Sequence, residues 1–193
     1  MLRSFSFFQN ILMDRPRPHS PLQALVFMGV SGCGKSSVGQ ACADALGWLM
    51  QEGDSYHSPA SVAKMREGIA LTDDDRSGWL DRLAGLLADA AATDDAEAAT
   101  GLVLTCSALR KRYRDRLRQA QPRLGFVFLQ LDYDQALARV GSRASHFFSP
   151  ALVADQFATL EAPTGEPHVL TLDATAPIGD LVAQTLAWLG KVR

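Results

Sequence analysis

The sequence predicts an α/β fold: a parallel sheet of about five strands with helices on both faces. Three observations carry this reading. Short apolar runs alternate with amphipathic segments from Leu22 onward, the order expected of a parallel sheet wrapped by crossover helices. The first apolar run passes through a glycine-rich turn straight into a helical stripe. And 193 residues, 47% of them hydrophobic, suffice for one full core but not for two ordinary domains.

Residues 22–193 therefore read as one domain and residues 1–21 as something apart. In that first segment Phe5, Phe7 and Phe8 sit among Arg3, Ser4 and Ser6, and no acid precedes Asp14. A secretory signal needs a longer apolar core and a small-residue cleavage site. The segment is expected to be a disordered leader, or an over-long start with Met13 as the true first residue. Arg15-Pro16-Arg17-Pro18 reads as a linker, since two prolines forbid helix.

The elements follow in order. Residues 24–28 form a continuous apolar run suited to a strand buried on both faces. Residues 35–46 carry Val38, Cys42, Ala45 and Leu46 on one helical stripe. Residues 48–51 suit a second strand. Residues 58–67 suit a short helix with Ser58 as N-cap and Pro59 at its first position. Residues 76–92 space Trp79, Leu80, Leu83, Leu86, Leu87 and Ala90 as a helix does, and Asp73, Asp74 and Asp75 stand at its positive end. The alanine, aspartate and threonine stretch 91–100 suits a helix end and a loop. Strands are expected at 102–105, 126–131 and 169–172, and helices at 110–119, 135–142, 150–160 and 178–189. No internal repeat is visible.

The chemistry starts at Gly29-Val30-Ser31-Gly32-Cys33-Gly34-Lys35-Ser36, a full G-x-x-x-x-G-K-[ST] motif between a buried strand and an amphipathic helix. Its glycines let backbone N–H groups approach and ring phosphates, and the helix N-terminus adds a favourable dipole. Lys35 offers charge to the β- and γ-phosphates, and Ser36 offers a hydroxyl to Mg²⁺. ATP and Mg²⁺ are the cofactors this pattern implies. Fold and loop alone do not name the phosphate acceptor.

The second expected strand ends in Glu52-Gly53-Asp54. Ligands of parallel sheets gather at the carboxyl ends of strands, so Asp54 is expected to face the loop from a neighbouring strand. A carboxylate there can take the proton of an attacking hydroxyl, orient that hydroxyl, or hold Mg²⁺ through water. The strand at 102–105 ends in Cys106-Ser107-Ala108 without an acid; the one at 126–131 ends in Asp132, but Tyr133 and Asp134 read as the opening of the next helix. Asp54 is therefore expected to serve both magnesium and the acceptor.

Other classes fit less well. The net charge is -2, which gives no general attraction to nucleic acid or anionic lipid. Six of the nine residues 110–118 are basic, but aromatics beyond Tyr113 are lacking, so the run reads as a solvated helix face with a few substrate-facing ends. No apolar stretch approaches the roughly 20 residues that span a bilayer. Cys33, Cys42 and Cys106 lack metal or disulfide spacing and suit reduced thiols in a cytoplasm. A non-catalytic nucleotide switch would be expected to lack Asp54 or the arginines Arg139 and Arg143, and all three are present.

With both halves in view the chain resembles the gluconokinase family, relatives of shikimate kinase and the nucleoside monophosphate kinases. The resemblance runs from about residue 25 to 189 and rests on GVSGCGKSSVG at 29–39, EGDSYHSPASVAKMREGIALTDDDRSGWL at 52–80, CSALRKRYRDRLR at 106–118 and SRASHFFSPALVADQFATLEAP at 142–163. It implies a P-loop kinase that phosphorylates the 6-hydroxyl of D-gluconate and pairs as a homodimer, with no nucleic-acid or membrane partner. Gluconate is a polyol carboxylate, so cations among Lys64, Arg76, Arg110 and Lys111 would meet its charge, with Asp54, His57, Asp74 and Ser107 addressing hydroxyls. Which cation takes the carboxylate stays open. The resemblance also implies a mobile lid at about 142–150. Arg139 and Arg143, four apart, would neutralise the transferring phosphoryl group. His146, Phe147 and Phe148 would form the lid tip, although core packing explains the two phenylalanines equally. Two departures, Ala70-Leu71 where Pro-Leu is expected and Gly78-Trp79 where proline precedes the tryptophan, bear on substrate affinity rather than reaction type. A kinase for shikimate or a nucleoside monophosphate is the competing reading; no base-binding pocket is evident for the latter.

Overall fold

The apolar run Ala24–Met28 forms β1, every residue of it buried, and a sheet grows outward from it on both sides. The computed structural model describes residues 21–92, 101–142 and 151–192. Nearly all of the expected leader, and Arg143, His146, Phe147 and Phe148 of the expected lid, lie outside the described residues. The other strands are β2 (Leu49–Glu52), β3 (Leu102–Thr105), β4 (Leu124–Gln130) and β5 (Val169–Asp173). All pair in parallel, in the order β2-β3-β1-β4-β5. The expectation of about five parallel strands flanked by helices holds.

The two faces of β1 show why helices cover both sides. Leu25 and Phe27 point into one cluster with Val38, Cys42 and Leu46 of α1 (Lys35–Leu46) and Leu181 and Leu189 of α7 (Ile178–Leu189). Ala24, Val26 and Met28 point into the other, with Trp79, Leu83 and Leu87 of α3 (Asp73–Ala91) and Leu117 of α4 (Lys111–Ala120). Period-two alternation in a strand buried on both faces produces this split. A third, smaller cluster joins Met65 of α2 (Pro59–Arg66) and Leu71 to Leu152 of α6 (Leu152–Thr159). It lies at the carboxyl end of the sheet and floors the cleft described below.

Several boundaries differ from expectation for local reasons. Helix α3 starts at Asp73, not Arg76, because Thr72 caps it: its hydroxyl accepts the Asp75 N–H while the Asp75 carboxylate accepts the Thr72 N–H. The three aspartates are thus its first turn. The strand expected at 126–131 begins two residues earlier, with Leu124 opposite Ala24. Helix α5 (Tyr133–Gly141) starts at the residue after Asp132, whose carboxylate accepts the Gln135 N–H at 2.8 Å. Asp132 is thus the cap of this helix.

The basic run 110–118 is only partly a solvated face. Arg114 on α4 is fully buried; its Nη1 donates to the carbonyls of Ala108 at 2.8 Å and Leu109 at 3.2 Å, and its Nε and Nη2 hold Glu166. Arg118 adds a bond to Glu166 at 2.8 Å and covers the Phe126 ring. Burial works to raise the Glu166 carboxyl, but the hydrogen bonds from these two arginines outweigh it and hold Glu166 below its usual range. Lys111, Arg112 and Arg116 remain exposed and paired with acids.

Candidate active site

The carboxyl ends of β1, β2 and β3 converge on one cleft, the position where open parallel sheets bind ligands. Ser31 and Lys35 enter it from the loop after β1, Asp54 and His57 from beyond β2, Ser107 from beyond β3, Arg76 from α3, and Asp155 and Gln156 from α6. The expectation that Asp54 comes from the strand beside the loop does not hold: β3 lies between β1 and β2, and Ser107 follows it.

The loop between β1 and α1 presents backbone and side-chain donors. Lys35 curls over it, its Nζ donating to the carbonyls of Gly29 and Val30 at 3.2 Å each. The Ser31 N–H is met by a side-chain oxygen, Oε1 of Gln156 at 2.6 Å. Val30 and Cys33 bury their side chains in the core and thus offer a ligand only their backbone. Gly34 caps α1 in a left-handed conformation, and Ser36 stands exposed in its first turn. The Gly29 N–H bonds the Ser107 carbonyl at 3.3 Å, tying this loop to the one after β3.

Asp54 is placed by close packing at its neighbour. A Cβ on Gly53 would stand 2.0 Å from the Thr105 carbonyl oxygen, so only glycine lets β2 end this near β3. The Gly53 N–H donates to Thr105 Oγ1 at 3.1 Å, and that hydroxyl donates in turn to Glu52. The Gly53 carbonyl accepts from Trp79 Nε1 at 2.8 Å. A short 3₁₀ helix, Gly53–Tyr56, then presents Asp54.

His57 stacks on Trp79, ring centroids 4.4 Å apart. Its side chain is 5% exposed, and Nε2 lies 3.9 Å from Asp54 Oδ1. Burial lowers its pKa to about 4, against the opposing pull of Asp54. The ring is therefore neutral near pH 7, and the contact with Asp54 is neither an ion pair nor a hydrogen bond. Nδ1 is buried without a hydrogen-bond partner among the described residues.

Of the expected cations, Arg76 lies in the cleft, buried, with Nε on the Leu71 carbonyl at 3.4 Å. Lys64 does not line it: its Nζ spans both oxygens of Asp75 at 2.7 and 2.9 Å, and this bond leads the causes that lower Asp75 to about 2. Arg110 lies 3.7 Å from Asp73, and Lys111 pairs with Asp115. Asp74 is exposed on α3, away from the cleft lining. Arg139 packs behind the phosphate loop, Nη1 donating to the carbonyls of Gly32 at 3.4 Å and Ala174 at 3.1 Å.

Sequence reasoning missed Asp155, Gln156 and Leu152. A signal for Gln156 existed: it falls on the same helical stripe as Leu152, Val153 and Phe157, where a polar residue needs a partner.

The family model described as shikimate kinase matches residues 31–162. The thermoresistant gluconokinase of Escherichia coli K12 is 39% identical over 167 residues, covering 86% of this chain and 93% of that protein. The chain belongs to the gluconokinase family. Among solved structures, the gluconokinase from Sinorhizobium meliloti 1021 superposes with a TM-score of 0.76 at 41% identity, covering 92% of this chain and 94% of that one. A sugar kinase from Janibacter sp. HTCC2649 gives 0.80 at 37% identity, covering 88% and 95%. Membership makes this chain a P-loop phosphotransferase. No helix among the described residues is long and apolar enough to cross a membrane.

Proposed function

We propose that this gluconokinase family member transfers the γ-phosphoryl group of ATP to the 6-hydroxyl of D-gluconate, giving 6-phospho-D-gluconate. The observation that carries the reading is a single cleft lined by Ser31 and Lys35 of the phosphate loop, by Asp54, and by the buried guanidinium of Arg76. That set suits an acceptor with a hydroxyl at one end and a carboxylate at the other.

The loop fits a nucleotide: Lys35 Nζ rests on the carbonyls of Gly29 and Val30, which a phosphate can replace, at the head of α1. ATP bound there supplies the phosphoryl group. Asp54 accepts the proton of the attacking hydroxyl as its oxygen bonds phosphorus, and the electrons of the broken P–O bond leave with ADP. Arg76 meets the carboxylate in a fork that lysine cannot match. His57 and Ser107 read hydroxyls, and the neutral imidazole serves this without adding charge.

Mg²⁺ would be held by the Ser36 hydroxyl and, through water, by Asp54. Among the described residues no group of three or more His, Cys, Asp or Glu forms a metal cage, which suits an ion that arrives with nucleotide phosphates.

The test is ADP release from ATP with a panel of acceptors: gluconate, shikimate and a nucleoside monophosphate. Turnover is expected with gluconate and is expected to vanish in Lys35→Ala, with an unchanged circular dichroism spectrum. Turnover with shikimate and none with gluconate would remove the proposed acceptor.

A further inference from the structure

Helix α6 brings to the phosphate loop a side chain that neither the loop motif nor the family likeness assigns. Gln156 is buried, and its Oε1 accepts the Ser31 N–H at 2.6 Å. A backbone N–H can only donate, so the oxygen of this amide must face Ser31 and its NH₂ group must face elsewhere. Among the described residues that NH₂ makes no hydrogen bond, while Gln156 lines the cleft with Lys35, Asp54, Arg76 and Ser107. A polar group set into the apolar stripe of a helix is costly to bury. This one gives its oxygen to the loop and leaves a donor pair beside the reacting groups.

We propose that Gln156 orients the phosphoryl group in transit: Oε1 fixes the loop through Ser31, and the NH₂ donates to a non-bridging oxygen of the group passing from ATP to the acceptor hydroxyl. Gln156 neither gains nor loses a proton in this role. Its donors meet charge that is spread over the equatorial oxygens in the transition state, where a fixed donor lowers the barrier more than it strengthens substrate binding. The inference rests on the phosphotransfer reading above. A rival role is that of a stopper, in which Gln156 occupies the Ser31 amide only until a phosphate displaces it.

The two roles separate in Gln156→Met, which keeps the side chain's length, and Gln156→Ala. Steady-state rates would be measured with whichever acceptor the wild-type protein uses, alongside calorimetric titration with a non-hydrolysable ATP analogue. The expected result is a kcat lower by about 10- to 100-fold in both variants, with both KM values and the analogue affinity within about threefold of wild type. Unchanged kcat with tighter analogue binding would establish the stopper and overturn the proposal; so would unchanged kcat with unchanged binding. Wild-type inactivity on gluconate would count against that acceptor alone, since the comparison runs on any acceptor. The methionine variant, read with its thermal unfolding curve, keeps the test valid if the alanine variant folds poorly.

Discussion

His57 lies flat on Trp79 with its Nδ1 unpartnered and its pKa lowered by burial to about 4 from the usual 6.5. In the unfolded chain the same imidazole takes up a proton as pH falls through 6.5, so between 6.5 and about 4 the unfolded state binds more protons than the native one. Stability therefore falls as pH drops through that window and this contribution levels off below it. Urea midpoints measured from pH 7 to pH 4 are expected to decline in the wild type and to decline less in His57→Gln; identical slopes would show that His57 titrates normally. At this scale the sequence was a good guide to placement for residues that follow a strand. Asp54, His57 and Ser107 all reach the cleft. It was a poor guide to long cations, whose reach is settled by neighbours distant in sequence: Lys64 is claimed by Asp75 and Arg110 lies nearest Asp73. Arg76 alone of the four stays in the cleft lining.

The segment joining β3 to α4 shows how an element holds a site. Ala108 sits at a φ of 42°, a strained value for a residue with a Cβ. Arg114 grips the carbonyls of Ala108 and Leu109, Glu161 N–H donates to the Leu109 carbonyl at 2.8 Å, and the Lys111 N–H caps onto the Glu161 carboxylate. These bonds fix Ser107, whose carbonyl in turn holds Gly29 of the phosphate loop. Arg114→Met leaves Glu166 buried with Arg118 as its remaining cation, and losing one partner of a buried pair costs about 3–5 kcal/mol. Denaturant unfolding of that variant should show a loss of this order; a loss under about 1 kcal/mol would mean that the pair behaves as a surface bridge. None of this was legible in the sequence, where a helix with six basic residues in nine reads as wet, because Glu166 lies 52 positions from Arg114. The strongly periodic elements were legible: β1, β3, α1 and α7 have the bounds their patterns predict. The boundary that moved most, the start of α3, was moved by a cap. The start of β4 was hidden by Gly125, which reads as a turn residue but lies in the strand because a Cβ would stand 2.7 Å from Leu22 and 2.9 Å from Trp188.

For the molecule as a whole, alternating patterns announced a parallel sheet but not its strand order, since crossovers in either direction leave the same signature. The order decides function: with β1 flanked by β3 and β4, the phosphate loop stands beside the Ser107 loop, and Asp54 faces it from one strand further out. That spacing sets Asp54 and Lys35 on the walls of one cleft. The claim on which the account depends is that Asp54 acts on the acceptor hydroxyl across this gap. Steady-state kinetics of Asp54→Asn at saturating ATP, with gluconate varied, tests it most directly. The account predicts a kcat lower by about 100-fold or more, with the KM for gluconate changed only a few-fold. A kcat within about threefold of wild type would contradict it.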